Sequence, residues 1–213
     1  MLDVYIIRHG ETDWNKEKRV QGSTDIPLNE FGERLARVTA DGLRNDGIRF
    51  DCVYSSPLNR AYKTAQILTE GTGLEIIKDE RITEFSFGKA EGLTWDDFDT
   101  NPSYADVAKV FSDPLHYVPE NGGETFEQVI ARAEDFLERE IRPLEGMCKS
   151  VLVSCHGAIT RALMLCVKHI PLEQFWKIYE PNCAVNLVKL KDGVFRAVYT
   201  GKIYYKAPRP GIV

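Results

Sequence analysis

Val4-Tyr5-Ile6-Ile7-Arg8-His9-Gly10-Glu11-Thr12 decides the architecture. An apolar, partly β-branched run gives way without transition to charged and small residues. That is the pattern of a short strand buried on both faces and ending near Arg8. Downstream, Asn29 reads as the N-cap of a helix with apolar positions at Leu35, Val38 and Leu43 and with Gly47 just past its end. Residues 50–54 predict a second strand. Ser56-Pro57 then reads as an N-cap followed by proline at the first helical position, and Ala61, Ala65, Ile67 and Leu68 carry that helix to Gly71. Residues 74–77 predict a third short strand. Residues 79–123 show the least periodicity, with Trp95, Phe98, Tyr104, Phe111 and Tyr117 scattered among acidic residues, and read as an excursion over one end of the domain.

Thr125-x-x-Gln128 is a capping box, and Phe126, Val129, Ile130, Ala133, Leu137 and Ile141 recur at helical spacing as far as Pro143. Residues 151–155 predict another buried strand, Gly157 opens a helix through Ala162, Leu163 and Val167, and Pro171 closes it. Residues 184–190 and 194–199 flank Lys191-Asp192-Gly193, a hairpin signal, and the tail from Lys206 with its two prolines reads as irregular. Strands alternating with helices predict an α/β three-layer sandwich. Its mostly parallel mixed sheet has about six strands, helices on both faces and an antiparallel excursion at the terminal hairpin. No repeat or linker divides the chain, so residues 1–213 read as a single domain.

Composition narrows the function. The 213 residues carry 27 basic and 32 acidic side chains, a net charge of −5. This gives no electrostatic case for nucleic acid or an anionic membrane as partner. The first apolar run is too short for a signal peptide or a membrane span, so a cytoplasmic protein is expected. Cys52, Cys148, Cys155, Cys166 and Cys183 are an odd set without Cys-x-x-Cys spacing and read as reduced cysteines.

In parallel sheets ligands sit beyond the carboxyl ends of the strands. Arg8 to Thr12, Ser55 to Arg60 and Ser154 to Gly157 all fall there. Two guanidiniums, Arg8 and Arg60, need an anion between them, and a phosphate dianion matches their forks. The helix mouth at Gly157 adds backbone N–H groups, and Gly10 and Gly157 leave room for close backbone approach by a ligand. Nearby arginines would keep His9 neutral and nucleophilic, while His156 would donate to phosphate oxygens. Glu84, beside Ile82, Phe85 and Phe87, is the candidate acid, its apolar flank expected to keep the carboxyl protonated. His116 and His169 have no such context and read as structural or surface residues.

The run Arg8-His9-Gly10-Glu11-Thr12-Asp13-Trp14-Asn15 resembles the signature of the histidine phosphatase superfamily, the phosphoglycerate-mutase-like proteins. The resemblance continues in order through residues 21–28, Gly32, residues 54–61, Thr64-Ala65, residues 84–88, Glu91-Gly92, residues 122–125 and residues 153–157. It implies that His9 is the phosphorylated nucleophile, that Arg8, Arg60 and His156 bind the phosphoryl group, and that Glu84 is the proton donor. It further implies phosphate contacts from Asn15, Gly157 and Ala158, and a substrate border formed by Gln21, Gly22 and Ser23. No metal and no other cofactor is implied.

The family's mutases carry a lysine eleven positions past the acid, where this chain has Trp95. Between Gly92 and Glu124 the basic residues are Lys109 and, when protonated, His116. Hydrolysis of a small phosphate ester is therefore expected, with a bisphosphoglycerate-dependent mutase and a non-catalytic phosphate-binding module as alternatives. Trp95, Phe98, Tyr104 and Phe111 suggest an alcohol that is less charged or partly apolar. The terminal strand offers an edge for a homodimer.

Overall fold

Side-chain alternation along the central strands decides which helices cover which face of the sheet. In the computed structural model, which describes residues 1–101, 104–119 and 122–206, the chain begins with β1 (Leu2–Arg8), α1 (Asp13–Lys16) and α2 (Glu30–Asn45). It continues through β2 (Cys52–Ser55), α3 (Asn59–Leu68), β3 (Ile76–Lys78), α4 (Trp95–Thr100), α5 (Ala105–Ser112) and α6 (Phe126–Phe136). β4 (Ser150–Cys155), α7 (Gly157–Lys168), β5 (Val185–Lys191) and β6 (Val194–Lys202) follow.

The sheet order is β3-β2-β4-β1-β5-β6. The first four of these are mutually parallel, and β5 and β6 run antiparallel to their neighbours, as the hairpin signal predicts. Val4 and Ile6 join Tyr54, Val151 and Val153 in a core with Val129, Ala133 and Phe136 of α6 and Ile159, Ala162 and Leu163 of α7. Tyr5, Ile7, Val53 and Leu152 point the other way and pack on Ala40 and Leu43 of α2 and Ala65 and Leu68 of α3. The molecule is thus a three-layer α/β sandwich, with β1 and β4 at its centre. Among the described residues no helix is long and apolar enough to cross a membrane.

Several local expectations are corrected. Ser56 does not cap α3: the helix starts two residues later, at Asn59, with Leu58 at the N-cap and no side-chain cap bond. Ser56 Oγ instead accepts from Leu58 N–H and meets a histidine 100 residues away. Val38 is exposed on α2 although Leu35 and Leu43 are buried, and the second and third strands each start two residues later than predicted, at Cys52 and Ile76.

The long helix leaves α-geometry at Phe136, widens through Leu137–Ile141 and tightens over Arg142–Leu144. Pro143 has no N–H and its ring crowds the carbonyl four residues back, which disrupts the preceding turn. The capping box at Thr125 and Gln128 forms as expected. The aperiodic excursion does hold two helices, α4 and α5, each too short to display a period. The tail expected to be irregular from Lys206 lies outside the described residues from residue 207 onward.

Candidate active site

The carboxyl ends of β1, β4 and β2 bring Arg8-His9, Cys155-His156 and Ser55-Ser56 to one rim of the sheet. His9 N–H donates to Cys155 O at 2.9 Å, so the two histidine-bearing strand ends are hydrogen-bonded neighbours. The two imidazole centroids lie 5.1 Å apart, and both rings are buried.

Hydrogen-bond partners fix the tautomers. His9 Nδ1 is 2.6 Å from Gly10 O. A carbonyl only accepts, so the ring proton sits on Nδ1 and Nε2 keeps its lone pair. Burial, then the charges of Arg60 and Arg8, hold His9 well below the ordinary histidine range, and the ring is neutral at physiological pH. His156 is held low by burial and by Arg60. Arg60 Nε, which only donates, lies 3.1 Å from His156 Nδ1. The proton of neutral His156 is therefore on Nε2, which donates to Ser56 Oγ at 2.7 Å. A hydrogen bond from His156 to phosphate would thus require exchange of its Ser56 partner.

Arg60 is fully buried, and burial pushes it down to about 10, so it remains charged at neutral pH. Its fork donates to Gly22 O at 2.6 Å and Thr24 O at 2.7 Å. Arg60 consequently ties the 22–24 loop to the site, in addition to being a candidate for anion binding. Arg8 Nη1 donates to Glu180 O, and its Nε is buried without a hydrogen-bond partner among the described residues. The Arg8 guanidinium also lies against Gly157, where a Cβ would be 3.4 Å from Arg8 Nε and 3.2 Å from Arg161 Nη1. A buried guanidinium edge with an unused donor at a helix mouth fits an oxyanion.

Glu84 reaches this same helix mouth. Its carboxyl accepts from Ala158 N–H at 3.0 Å, Ile159 N–H at 3.1 Å and Phe85 N–H at 3.0 Å. Ile82 and Phe85 are buried as expected, but the carboxyl points to backbone donors and not to an apolar pocket. The Ala158 amide expected to touch phosphate is therefore engaged by the candidate acid. Gly10 is corrected too: a Cβ there would lie 2.4 Å from Gly32 O, so its small size admits α2 and not a ligand.

Asn15 Oδ1 accepts from Thr12 and from Asn182 Nδ2, so any contact it makes to an anion must come from its own Nδ2. Gln21 is buried, and its Oε1 has no hydrogen-bond partner among the described residues. Ser23 Oγ donates to Glu91 Oε1 at 3.0 Å. His116 pairs with Asp113 on the surface, and His169 ends α7 in the left-handed region at the far end of that helix from Gly157.

Several supporting residues escaped the sequence reading. Glu91 also accepts from the N–H groups of Ser23, Thr24 and Phe87, clamping the 22–24 loop. Asn182 Nδ2 approaches His9 O at 3.1 Å and Gly10 O at 3.2 Å. Arg132, on α6, donates to the carbonyls of Arg81, Thr83 and Glu84 and is paired with Glu124 at 2.8 Å, framing the loop that carries Glu84. Arg161 stands one helical turn after Gly157, which could have flagged it; it lies 5.4 Å from the Trp176 ring, which touches Phe111.

Comparison with known proteins fits this geometry. The family model described as "Histidine phosphatase superfamily (branch 1)" matches residues 4–202. Phosphoserine phosphatase 1 of Hydrogenobacter thermophilus is 30% identical over 192 residues, covering 90% of this chain and 88% of that protein. A probable phosphoglycerate mutase GpmB of Serratia proteamaculans is 33% identical over 188 residues, covering 88% and 85%. The solved structure of Bacillus stearothermophilus YhfR superposes with a TM-score of 0.86 at 31% identity, covering 95% of this chain and 98% of that one.

Proposed function

Because the chain belongs to the histidine phosphatase superfamily, branch 1, we propose that it hydrolyses a small phosphate monoester through a phosphohistidine on His9. The observation that carries this reading is the Nδ1–H···O=C bond to Gly10, which leaves Nε2 as a neutral nucleophile among buried arginines. In the first step Nε2 attacks phosphorus in line, the P–O bond to the alcohol breaks, and the leaving oxygen takes a proton from Glu84. In the second, Glu84 takes a proton from water as its oxygen attacks phosphorus. The P–N bond then breaks, releasing phosphate and returning the lone pair to Nε2. Arg8 and Arg60 stabilise the charge that builds on the equatorial oxygens, joined by His156 once it exchanges its Ser56 partner. Asn15 and Gly157 add phosphate contacts, Ala158 does so once Glu84 releases its amide, and residues 21–23 border the alcohol.

The alcohol side favours a weakly charged group. Trp95 packs on Phe111 at 4.4 Å and Phe111 on Trp176 at 5.1 Å, and this aromatic wall reaches the helix mouth through Arg161. The test is phosphate release from an aryl phosphate in EDTA, with an alkaline denaturing quench to trap enzyme-bound phosphate. Expected are turnover by the wild type, an acid-labile, base-stable phosphoryl group on the protein, and loss of both in His9→Ala. Primer-dependent interconversion of 2- and 3-phosphoglycerate outpacing hydrolysis would replace this reading with the mutase one.

A further inference from the structure

The opposite end of the sheet, at the amino termini of β2 and β4, holds two neighbouring thiols. Cys52 opens β2 and Cys148 stands just before β4, both partly exposed, with their sulfurs 3.2 Å apart. The backbones that carry them are pinned together. Asp51 Oδ2 accepts from Lys149 N–H at 2.7 Å and Ser150 N–H at 3.0 Å, and Asp51 N–H donates to Ser150 O at 3.0 Å. We propose that Cys52 and Cys148 form a reversible disulfide staple across the amino-terminal ends of β2 and β4, made by exchange with a low-molecular-weight disulfide.

The chemistry balances without another reactant. One protein thiolate attacks the small disulfide, forming a mixed disulfide and releasing one small thiolate. The second protein thiolate then attacks the protein sulfur of that mixed disulfide, closing the bridge and releasing the other small thiolate. The two thiol protons pass to the departing thiolates. The bridge needs the sulfurs to close to about 2.05 Å, roughly 1 Å of travel that thiol rotation and small backbone shifts supply. Burial and the neighbouring thiol push Cys52 up to about 11. Exchange is therefore slow at neutral pH and accelerates as pH rises. The other cysteines are poorer candidates: Cys155 and Cys183 are fully buried, and Cys166 hydrogen-bonds a backbone carbonyl of α6.

The staple closes a loop of roughly 100 residues, long enough to raise Tm by about 10–20 °C on loop-closure grounds. The folded protein is incubated with oxidised glutathione at mildly alkaline pH, quenched in acid, alkylated after unfolding and digested without reductant. Expected are a fall from five alkylatable thiols to three, a cross-linked Cys52–Cys148 peptide pair, the rise in Tm, and reversal of all three by dithiothreitol. Cys148→Ser should carry at most a glutathione adduct and show no Tm rise. Five free thiols after oxidation, an adduct that never resolves in the wild type, or a cross-link through Cys166 would overturn the proposal. The readouts are independent of catalysis, so they stand or fall separately from the phosphatase reading.

Discussion

Proton placement is what the individual residues contribute. If Glu84 gives its proton to the leaving alcohol, Glu84→Gln should slow the single-turnover release of alcohol from alkyl phosphates by roughly 10²–10⁴-fold while sparing that first step for aryl phosphates, whose leaving groups need little help. Equal loss of the first-step rate on both substrates would remove Glu84 from the acid role. Stability reports on buried groups. Glu180 is pushed up to about 7 by burial and has an Oε1 without a hydrogen-bond partner among the described residues. A raised carboxyl stabilises the fold below its unfolded value and loses that contribution as pH rises through the folded one. Urea titrations of wild type and Glu180→Gln from pH 4 to 8 should show the wild type losing roughly 3 kcal/mol relative to the variant. His9 and His156 act in the other direction: both are lowered, so their contribution is intact above about pH 6.5 and fades as acid protonates the unfolded chain.

Elements position these residues through contacts that local sequence patterns do not reveal. Arg132→Ala should reduce kcat on the order of 10²-fold with little change in KM, because the 81–84 carbonyls lose their clamp and Glu84 drifts. Arg132→Lys should recover little of it, since one ammonium cannot reproduce the fork. Gly32→Ala tests the fit of α2 beneath the catalytic loop. Alanine normally gains about 1 kcal/mol over glycine inside a helix. Here its Cβ would sit 2.0 Å from Glu11 O, so a net loss of about 1–3 kcal/mol in urea denaturation is expected. What was legible in the sequence followed from local rules: the buried runs of β1 and β4, the Asn29 cap, the Thr125 capping box and the hairpin at Asp192-Gly193. The convergence of Arg8, His9, Arg60 and His156 on one rim was legible because strand ends share a side of a parallel sheet, whereas Glu84, six residues past β3, was legible only as a candidate acid and through the resemblance. The role of Ser56 was not, because its hydroxyl answers to His156 and not to its own helix. Gly10 misled for the same reason, its neighbour Gly32 lying outside any local window.

At the scale of the whole molecule, an anion that binds only the folded site must stabilise the fold. Inorganic phosphate at about 100 times its Kd should add about 2.7 kcal/mol of stability and raise Tm in a calorimeter, and Arg8→Ala should blunt the rise. An unchanged wild-type Tm at saturating phosphate would count against anion binding at this rim. The strand order has one more consequence. Arg8 and His9 are synthesised before the residues that hold them: Arg8 is tied to Glu180 O, His9 O is held by Asn182, and β1 completes its pairing only with β4 and β5. On the proposed mechanism, a ribosome-bound chain that has extruded β1 through α6 carries the nucleophile without its pocket, and phosphoryl transfer awaits β4, α7 and β5.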